Sequence, residues 1–283
     1  MTGFSAQWLA LREPADHRAR DIALQNQVVH DLDHLSRLRP GPLKLIDLGS
    51  GSGSNLRALA PHLPNAQHWT LVDFDPALLS AARTTLKQWA DHIIADNDTL
   101  ALNKNGKLLS IDFRCEDLSK NIEAVLALPA DLITAAAFFD LVAVDWLTRF
   151  CGLLCTPLYT VLTYNGEEIW SPPEVQDAAM LKAFHVHQQT DKGFGAAAGP
   201  AAARVMESLL STRGFKVSSA LSPWKLGQED RSLIEQLAIG SAGAVRETGM
   251  VASADIDTWQ RSRCLATSCE IGHIDLYAKP RTF

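Results

Sequence analysis

Several features that mark specialised classes of protein are missing from this sequence of 283 residues. Its five cysteines are odd in number and form no C-x-x-C pair, so we expect neither a disulfide framework nor a metal site. Cys151 and Cys155 have no histidine beside them and are predicted to be buried free thiols. Basic residues are not in excess, because 26 Lys and Arg against 32 Asp and Glu leave a net charge of −6. A nucleic-acid partner is therefore not expected.

A long apolar run is missing as well. The most apolar stretch, residues 124–147, is interrupted by Asp131, Asp140 and Asp145, and a membrane span tolerates such carboxylates poorly. The first 20 residues carry charges early and lack the apolar region of a signal peptide. We therefore expect no membrane partner and a location in the reducing cytoplasm.

Apolar segments of strand length alternate with segments of helical periodicity along the chain. The composition is that of an ordinary globular protein, with 47% hydrophobic and 20% charged residues. The alternation predicts an α/β fold that is Rossmann-like and doubly wound around a mostly parallel, seven-stranded sheet. The seven strands are predicted at residues 43–48, 68–73, 108–113, 131–135, 158–164, 214–217 and 270–278.

A single domain of residues 1–283 is predicted, because no linker interrupts this alternation. Near the N-terminus, Leu24, Val28 and Leu32 begin an apolar stripe of helical spacing, and Pro14 fits a first helical position. We divide the domain into an N-terminal helical lid, a ligand-binding core, a cap insertion after the fifth strand and a C-terminal part of the sheet. These parts are residues 1–42, 43–166, 167–200 and 201–283.

A glycine-rich turn carries the clearest chemical signal. Asp47 lies at the end of the first strand, and Gly49, Gly51 and Gly53 follow at alternate positions before a helix. Glycine lets the backbone turn tightly and approach a ligand, and the N–H groups at a helix start favour a polar or anionic group. About 20 residues later Asp73 ends the second strand, where a carboxylate can accept hydrogen bonds from both hydroxyls of a ribose.

Two classes of ligand use this geometry. Dinucleotide-binding enzymes have the spacing G-x-G-x-x-G, whereas the glycines here follow G-x-G-x-G, and neither register provides the third glycine. With an acid two residues before the first glycine and the segment VDFDP at residues 72–76, the sequence resembles two motifs of the class I S-adenosylmethionine (SAM)-dependent methyltransferases. The resemblance covers residues 43–166 well and extends beyond them only in the order of the last two strands.

The resemblance implies a SAM site at the carboxyl edge of the sheet, with S-adenosylhomocysteine (SAH) as product. Asp47 would orient the loop and reach the methionine amino group through water, and the glycine backbone would contact the methionine and ribose. Asp73 would bind the ribose hydroxyls, Phe74 would pack on the adenine, and Asp117 would accept a hydrogen bond from the adenine amino group. The implied SAM-binding residues are, in full, Arg12, Asp47, Gly49, Ser50, Gly51, Gly53, Asn55, Asp73, Phe74, Asp75, Glu116, Asp117, Leu118, Thr134 and Ala135.

Some of these residues have ordinary structural alternatives. Phe74 could instead be a core residue, and Asp117 a helix N-cap. The methionine carboxylate needs a cation or helix N–H groups, and Arg12, Arg18 and Arg20 lie on the N-terminal segment that could fold over the site. Among the three we favour Arg12, with a solvated surface arginine as the alternative.

The acceptor side is predicted mainly in the cap insertion. Tyr164 would end the fifth strand, His187 could act as a general base near neutral pH, and residues 191–195 look like a mobile closing loop. A structural histidine is the alternative for His187, and core packing is the alternative for Trp146. The predicted catalytic residues are His187, Tyr164 and Asp191, and the predicted acceptor-binding residues are Trp146, Trp170, His185, Lys192 and Phe194.

The sequence therefore predicts an enzyme, a SAM-dependent methyltransferase that transfers a methyl group to a small organic acceptor by direct in-line displacement. A cap with aromatic and few basic residues favours a small molecule over a polyanion, and the chain would act as a monomer or homodimer. Three alternatives stay open: a SAM-binding protein without catalysis, an RNA or protein methyltransferase, and a nicotinamide-dependent oxidoreductase, which the glycine spacing disfavours.

Overall fold

The computed structural model describes residues 4–281, which contain ten α-helices and ten strands. The helices are α1 Ala6–Ala19, α2 Ile22–Leu38, α3 Ser54–Leu59, α4 Pro76–Trp89, α5 Leu118–Leu126, α6 Val144–Leu153, α7 Asp177–Gln188, α8 Ala202–Thr212, α9 Arg231–Thr248 and α10 Ser253–Arg263. The strands are β1 Leu43–Leu48, β2 Ala66–Asp73, β3 His92–Asp96, β4 Leu100–Lys104, β5 Lys107–Cys115, β6 Leu132–Ala136, β7 Leu158–Ser171, β8 Lys216–Leu221, β9 Trp224–Leu226 and β10 Ser268–Lys279.

All ten strands belong to one mixed sheet. Nine of them follow the order β3-β4-β5-β2-β1-β6-β7-β10-β8, and β9 pairs with β10. Strands β5, β2, β1, β6 and β7 are mutually parallel, whereas every pairing of β3, β4, β8, β9 and β10 is antiparallel. The α/β class and the parallel centre are confirmed, but the prediction of a mostly parallel sheet of seven strands is wrong.

Two consecutive hairpins at one edge of the sheet, β3–β4 and β4–β5, account for two of the three additional strands. Strands β4 and β5 pair across the turn at Asn105 and Gly106, which have φ angles of 51° and 76°. Positive φ at both central positions is the geometry that asparagine followed by glycine favours in a two-residue hairpin. The short strands β3 and β4 before this turn were not predicted from the sequence. The third addition, β9, has three residues and is too short for a periodicity argument.

The chain reverses its direction of travel across the sheet next to β1. It runs from β1 outward to β2 and β5, and then returns to place β6 on the opposite side of β1. Ligands of open α/β sheets bind outside the carboxyl ends of the strands at such a switch point. The glycine-rich turn follows β1 directly, so the fold places it at this position.

Helices cover both faces of the sheet. One buried cluster contains side chains of α1–α4, α7, α9 and α10, and a second contains side chains of α5, α6 and α8. In α2, Leu24, Val28 and Leu32 are buried as the helical spacing predicts. Pro14 lies inside α1 rather than at its start, because the helix begins earlier, after the N-cap Ser5. The missing N–H of Pro14 removes one hydrogen bond from the interior of this helix.

Strand β7 is longer than predicted and does not end at Tyr164. It continues to Ser171 and pairs with β10 along most of its length. Leu162 has a φ angle of 58°, and its N–H donates to Asp275 Oδ1 at 2.9 Å. The irregularity lies beside a register shift between β7 and β10, as expected for a β-bulge. Because of this extension, the first residues of the predicted cap insertion belong to the sheet.

The helices bear on the expectation that the chain has no membrane-spanning segment. None of the helices among residues 4–281 combines the length and apolarity needed to cross a membrane.

The five cysteines are free thiols, and Cys151 is buried as predicted. Cys155 is exposed, so that part of the prediction is wrong. It follows the end of α6, whereas Cys151 lies inside this helix and faces the core.

Thiol labelling tests this distribution of cysteines. We expect Cys115 and Cys155 to react rapidly with a disulfide reagent in the native protein, because both are exposed. Cys151 and Cys269 should react only after unfolding, since both are buried and burial raises the pKa of Cys151 to about 12. Mass spectrometry of labelled peptides assigns the sites. Rapid labelling of Cys151 or Cys269 in the native state would contradict the packing described above.

Candidate functional site

The glycine-rich turn is enclosed by two other parts of the chain. Gly49, Gly51 and Gly53 have φ angles of 61°, 52° and 76°, and residues with side chains rarely adopt such backbone angles. A Cβ atom on Gly49 would lie 2.7 Å from Phe138 Cδ2, after β6, and one on Gly51 would lie 2.9 Å from Leu9 Cδ1, on α1. Any side chain at these two positions would therefore collide with its neighbours. Helix α1 and the segment after β6 thus bound the turn.

Asp73 connects the end of β2 to this turn. Its Oδ2 accepts a hydrogen bond from the Gly51 N–H at 2.8 Å, and its Oδ1 accepts one from the Asp75 N–H at 3.0 Å. The residue is only 5% exposed, and burial raises the pKa of its carboxyl group. Each carboxylate oxygen can accept a second hydrogen bond, so Asp73 retains capacity for the hydroxyls of a ligand.

A buried polar network lies beneath the turn. Asn55 donates through Nδ2 to Asp47 Oδ1 at 2.7 Å and to Thr134 Oγ1 at 3.0 Å. Its Oδ1 accepts a hydrogen bond from Arg20 Nη2 at 2.9 Å. All four residues are buried, so each bond replaces one that water would otherwise make. The network joins β1, β6 and the start of α3 to the corner between α1 and α2.

This network contains buried polar atoms without a partner. They are Asp47 Oδ2, Ser50 Oγ and the Nε and Nη1 atoms of Arg20. Burial raises the pKa of Asp47 to about 7, against the opposing effects of the Asn55 hydrogen bond and the Arg20 charge. Unsatisfied buried polar groups are costly, and such groups usually bind water or a ligand. The donors and acceptors therefore suit a polar, zwitterionic group at this turn.

Helix α1 is attached to the outer side of the turn by several polar contacts. His17 Nε2 lies 3.1 Å from Ser54 Oγ, and the Arg57 guanidinium donates to both carboxylate oxygens of Glu13, with Nε at 2.8 Å. Arg57 Nη1 also donates to the Ser52 carbonyl at 2.7 Å. The position of α1 over the turn is thus set by side chains from both segments.

The three arginines of the N-terminal segment have different environments. Arg12, which the sequence analysis favoured, donates to both oxygens of Asp16 at 2.9 and 3.1 Å. Arg18 donates to Asp230 at 2.5 Å near the surface. Of the three, Arg20 alone donates to the network beneath the turn. The signal in the sequence was the N-cap Asp21, which predicts a helix start there and thus a corner at Arg20.

The residues predicted to contact adenine have different environments in the structure. Phe74 is 52% exposed beyond β2, so it is not a core residue and its ring is available for packing. Asp117 accepts hydrogen bonds from the Ser119 N–H at 3.0 Å and from Lys120 Nζ at 2.7 Å. It is the N-cap of α5, the structural alternative, and its side chain is engaged within its own helix. Asp75 is likewise the N-cap of α4.

Four other predicted SAM-binding residues have structural contacts of their own. Glu116 pairs with Arg114 at 3.2 Å and accepts a hydrogen bond from Asn121 at 3.1 Å. Leu118 and Ala135 are buried in the second core cluster, so only their backbone could reach a ligand. Thr134 is fully buried and bonded to Asn55, on the face of the sheet that carries Asp47.

Most of the predicted acceptor residues pack in the core or on one another. Trp146 stacks on Phe150 with a centroid distance of 5.4 Å and donates to the Leu118 carbonyl at 2.9 Å, so it is a core residue. Trp170 packs edge-on against Trp259 at 5.6 Å. Phe194 packs edge-on against Phe138 at 5.7 Å, which brings it close to the glycine-rich turn. Lys192 bonds to Thr190 at 2.9 Å at the surface.

Two of the three predicted catalytic residues, His187 and Asp191, have partners outside the glycine-rich turn and the network beneath it. His187 Nε2 is 3.0 Å from Glu247 Oε2 of α9, a carboxylate whose side chain is 73% exposed. Asp191 is exposed, and its Oδ1 accepts hydrogen bonds from the N–H groups of Gly193 and Gly195 at 2.6 and 2.9 Å. The Asp191 side chain therefore stabilises the loop of residues 191–195. Helical periodicity could not reveal that His187 faces α9 rather than the sheet.

Tyr164 and His185 do come together, with partners that the sequence analysis missed. Tyr164 is 5% exposed, and its hydroxyl donates to Glu168 Oε1 at 3.0 Å and lies 3.2 Å from His185 Nε2. Asp140, shortly after β6, is buried with its Oδ1 unpartnered, and burial raises its pKa to about 6. The Arg12 charge opposes that shift, so Arg12 lies near Asp140.

Comparisons with known proteins concern the fold of this chain. Neither a family model nor a curated protein matches the sequence. A cyclopropane-fatty-acyl-phospholipid synthase-like protein from Lactobacillus casei is 13% identical, with a TM-score of 0.49 and coverage of 96% of this chain and 94% of that one. A cyclopropane synthase from Mycobacterium tuberculosis is 12% identical, with a TM-score of 0.48 and coverage of 97% and 94%.

A third similar structure is a SAM-dependent methyltransferase from Thiobacillus denitrificans, solved in complex with SAH. It is 13% identical, with a TM-score of 0.43 and coverage of 98% of this chain and 99% of that chain. Because these three TM-scores lie below 0.5, the functional assignment depends on the strand order and site contacts of this chain itself.

Replacement of Arg20 tests the network beneath the turn. We expect Arg20→Met to lower the free energy of unfolding by about 3 kcal/mol, because it leaves Asn55 and the buried carboxylates without their cation. Arg18→Met is the matched control, and it should change stability by about 1 kcal/mol or less because its ion pair is near the surface. Urea unfolding measures both. Equal effects of the two substitutions would contradict the role assigned to Arg20.

Proposed function

We propose that this chain is a SAM-dependent methyltransferase that methylates a small organic acceptor by direct in-line displacement. The observation that carries the proposal is the meeting of Asp47, the glycine-rich turn and Asp73 at the point where the sheet reverses its strand order. A nucleoside with an amino-acid tail suits this arrangement, because the buried carboxylate of Asp73 would bind the ribose and the polar network beneath the turn would bind the zwitterionic tail.

The residues of the turn fit the parts of SAM in a definite order. Asp73 would accept hydrogen bonds from the ribose hydroxyls, and Phe74, whose ring is exposed beyond β2, would pack on the adenine. The unpartnered atoms of Asp47, Ser50 and Arg20 would bind the amino and carboxylate groups of the methionine, directly or through water. This assigns the methionine carboxylate to Arg20 instead of Arg12.

The protein's contribution to the reaction would be mainly one of positioning. SAM, when bound, supplies a methyl group that its sulfonium charge has already activated. Alignment of the acceptor with that methyl group can contribute about 7–11 kcal/mol to catalysis. Phe138 contacts Gly49 and is followed closely by the buried Asp140, so these residues would bound the acceptor next to the turn. Helix α1 would exclude water from the opposite side.

The small size proposed for the acceptor rests on charge and enclosure. The chain has a net charge of −6, which opposes binding of a polyanion such as RNA. The buried acid Asp140 and the aromatic residue Phe138 follow β6, and Phe194 packs edge-on against Phe138 at 5.7 Å. An RNA or protein methyltransferase, and a SAM-binding protein without catalysis, are the alternatives that the experiments distinguish.

Calorimetric titration with SAM and SAH tests the proposed ligand. Wild-type protein should bind both, and Asp73→Ala should weaken the binding about tenfold or more, because a charge-assisted hydrogen bond contributes about 1.5–3 kcal/mol. Asp33→Ala, which removes a surface carboxylate on α2, should bind as wild type does. NAD titration is the control for the oxidoreductase alternative.

Each outcome of the titration has a clear meaning. Absence of SAM binding to the folded wild-type protein, or unchanged affinity in Asp73→Ala, would overturn the proposed site. Binding without SAH release across a broad set of small acceptors would favour a SAM-binding protein without catalysis. Binding of NAD in place of SAM would favour the oxidoreductase. A steep dependence of binding on salt together with copurifying nucleic acid would favour an RNA methyltransferase.

A further inference from the structure

A three-residue hydrogen-bonded chain lies above the carboxyl end of β6. Tyr164 is at its centre, with its hydroxyl donating to Glu168 Oε1 at 3.0 Å and lying 3.2 Å from His185 Nε2. A hydroxyl has one proton to donate and two lone pairs, so Tyr164 can donate to Glu168 and still accept two hydrogen bonds. One of these comes from His185 when its Nε2 carries the proton. The other is available to a ligand.

The position of Tyr164 follows from the length of β7. Val161 pairs with Ala136, the last residue of β6, so Tyr164 lies three residues further along β7, beyond the carboxyl end of β6. The segment after β6 includes Phe138, which contacts Gly49, and Asp140, whose pKa is influenced by the Tyr164 backbone N–H. The Tyr164 hydroxyl chain is therefore close to the side of the turn where an acceptor would lie.

Gly166 allows the segment before α8 to pack closely against β7, next to His185. It has a φ angle of 94°, and a Cβ atom there would lie 2.9 Å from Pro200 Cβ and 3.5 Å from His185 Cε1. A side chain at this position would collide with Pro200, whereas it would make only an ordinary contact with His185. Strand β7, α7 and the segment before α8 therefore pack closely together beside the Tyr164 hydroxyl.

The protonation states of the three groups suit proton transfer near neutral pH. Burial raises the pKa of Glu168 to about 7, opposed by the Tyr164 hydrogen bond and reinforced by the charge of Asp177 on α7. Burial lowers the pKa of His185, which keeps its imidazole neutral at pH 7. Burial raises the pKa of Tyr164, with further contributions from Glu168, Asp140 and Cys269 of β10, so its hydroxyl stays protonated. His273 of β10 also faces Tyr164, with ring centroids 6.4 Å apart, and burial lowers the pKa of His273 to about 3.

We propose that Tyr164 takes the proton from a protic methyl acceptor, a hydroxyl or a neutral amine, while passing its own proton to Glu168. This inference depends on the proposed methyltransferase function. As the acceptor oxygen or nitrogen bonds to the methyl carbon of SAM, the carbon–sulfur bond breaks and its electron pair remains on sulfur, which gives SAH. The acceptor proton moves to Tyr164 Oη and the original hydroxyl proton moves to Glu168 Oε1, so the tyrosine never becomes an anion.

Tyr164 is then the catalytic residue, and Glu168 and His185 act through it. Glu168 receives the proton and must be ionised beforehand, so the relay operates above the pKa of Glu168 and is lost as pH falls below about 7. His185 is a positioning residue that fixes the hydroxyl from the other side. Positioned proton transfer of this kind contributes about 10²–10⁴-fold to a rate.

The hydrogen-bonded chain can be tested in the protein alone by NMR. The sequence has three tyrosines, so a sample with ¹³Cζ-labelled tyrosine gives three signals, of which Tyr164→Phe assigns one. We expect the Tyr164 signal to titrate with a midpoint near pH 7, and Glu168→Gln to abolish this transition while leaving the fold intact. A Tyr164 signal that is unchanged between pH 5.5 and 8.5, or a transition that persists in Glu168→Gln, would overturn the proposed relay.

Turnover measurements test the role of Tyr164 in catalysis. Small phenols and secondary amines are the probe acceptors, and SAH release is the readout. We expect Tyr164→Phe to lower kcat about 10²-fold or more with SAM affinity unchanged within about twofold, and Glu168→Gln to remove the rise of kcat/KM with pH near 7. Tyr277→Phe is the matched control, because the hydroxyl of Tyr277 bonds to Asp31 in another part of the molecule.

The failures of the two proposals are distinguishable. If SAM does not bind, the methyltransferase proposal fails. If SAM binds but no phenol or amine releases SAH, the protic acceptor class is wrong and the relay is overturned. The relay is also overturned if such probes are methylated and Tyr164→Phe retains the wild-type rate and pH profile.

Discussion

The buried charge of Arg20 is the constraint on which the arrangement of the candidate site depends. Its guanidinium lies at the corner between α1 and α2, where it donates to Asn55, and its charge favours ionisation of both Asp47 and Asp275. Removal of a cation from water costs several kcal/mol, and only partners in the right places offset this cost. The N-terminal helices are therefore positioned by the same polar groups that support the turn.

The relation between α1 and the turn follows from this constraint. The corner at Arg20 directs α1 across the turn, where Leu9 packs against Gly51 and Glu13 pairs with Arg57. Helix α1 thus contributes both a wall and a set of polar contacts to the site. The N-terminal segment was predicted to cover the ligand, and its path in the structure is compatible with that interpretation.

The centre of the fold could be predicted from the sequence because its signals are local. Strand β1, the glycines and Asp73 are defined by apolar runs and by residues with special backbone preferences, and these decide the local structure alone. The hairpin β3–β4 and the extension of β7 could not be predicted in the same way. Their strands are short or half exposed, and β7 gains its length from pairing with β10, which is more than 90 residues away in sequence.

The acceptor side shows most clearly where sequence reasoning fails. Tyr164 and His185 were identified, but Glu168, Asp140 and Arg20 were missed or ranked below other residues. Their proximity depends on contacts between β7, α7 and the segment after β6, which no spacing along the chain encodes. His187 was predicted from its residue type alone, and the structure places its imidazole against Glu247 of α9.

The proposed SAM site is best tested by a crystal structure of the protein with SAH. We expect electron density for SAH along residues 49–55, with the ribose beside Asp73, the adenine beside Phe74 and the methionine end towards the network of Asp47 and Arg20. Density at another part of the sheet, or a ribose remote from Asp73, would contradict it.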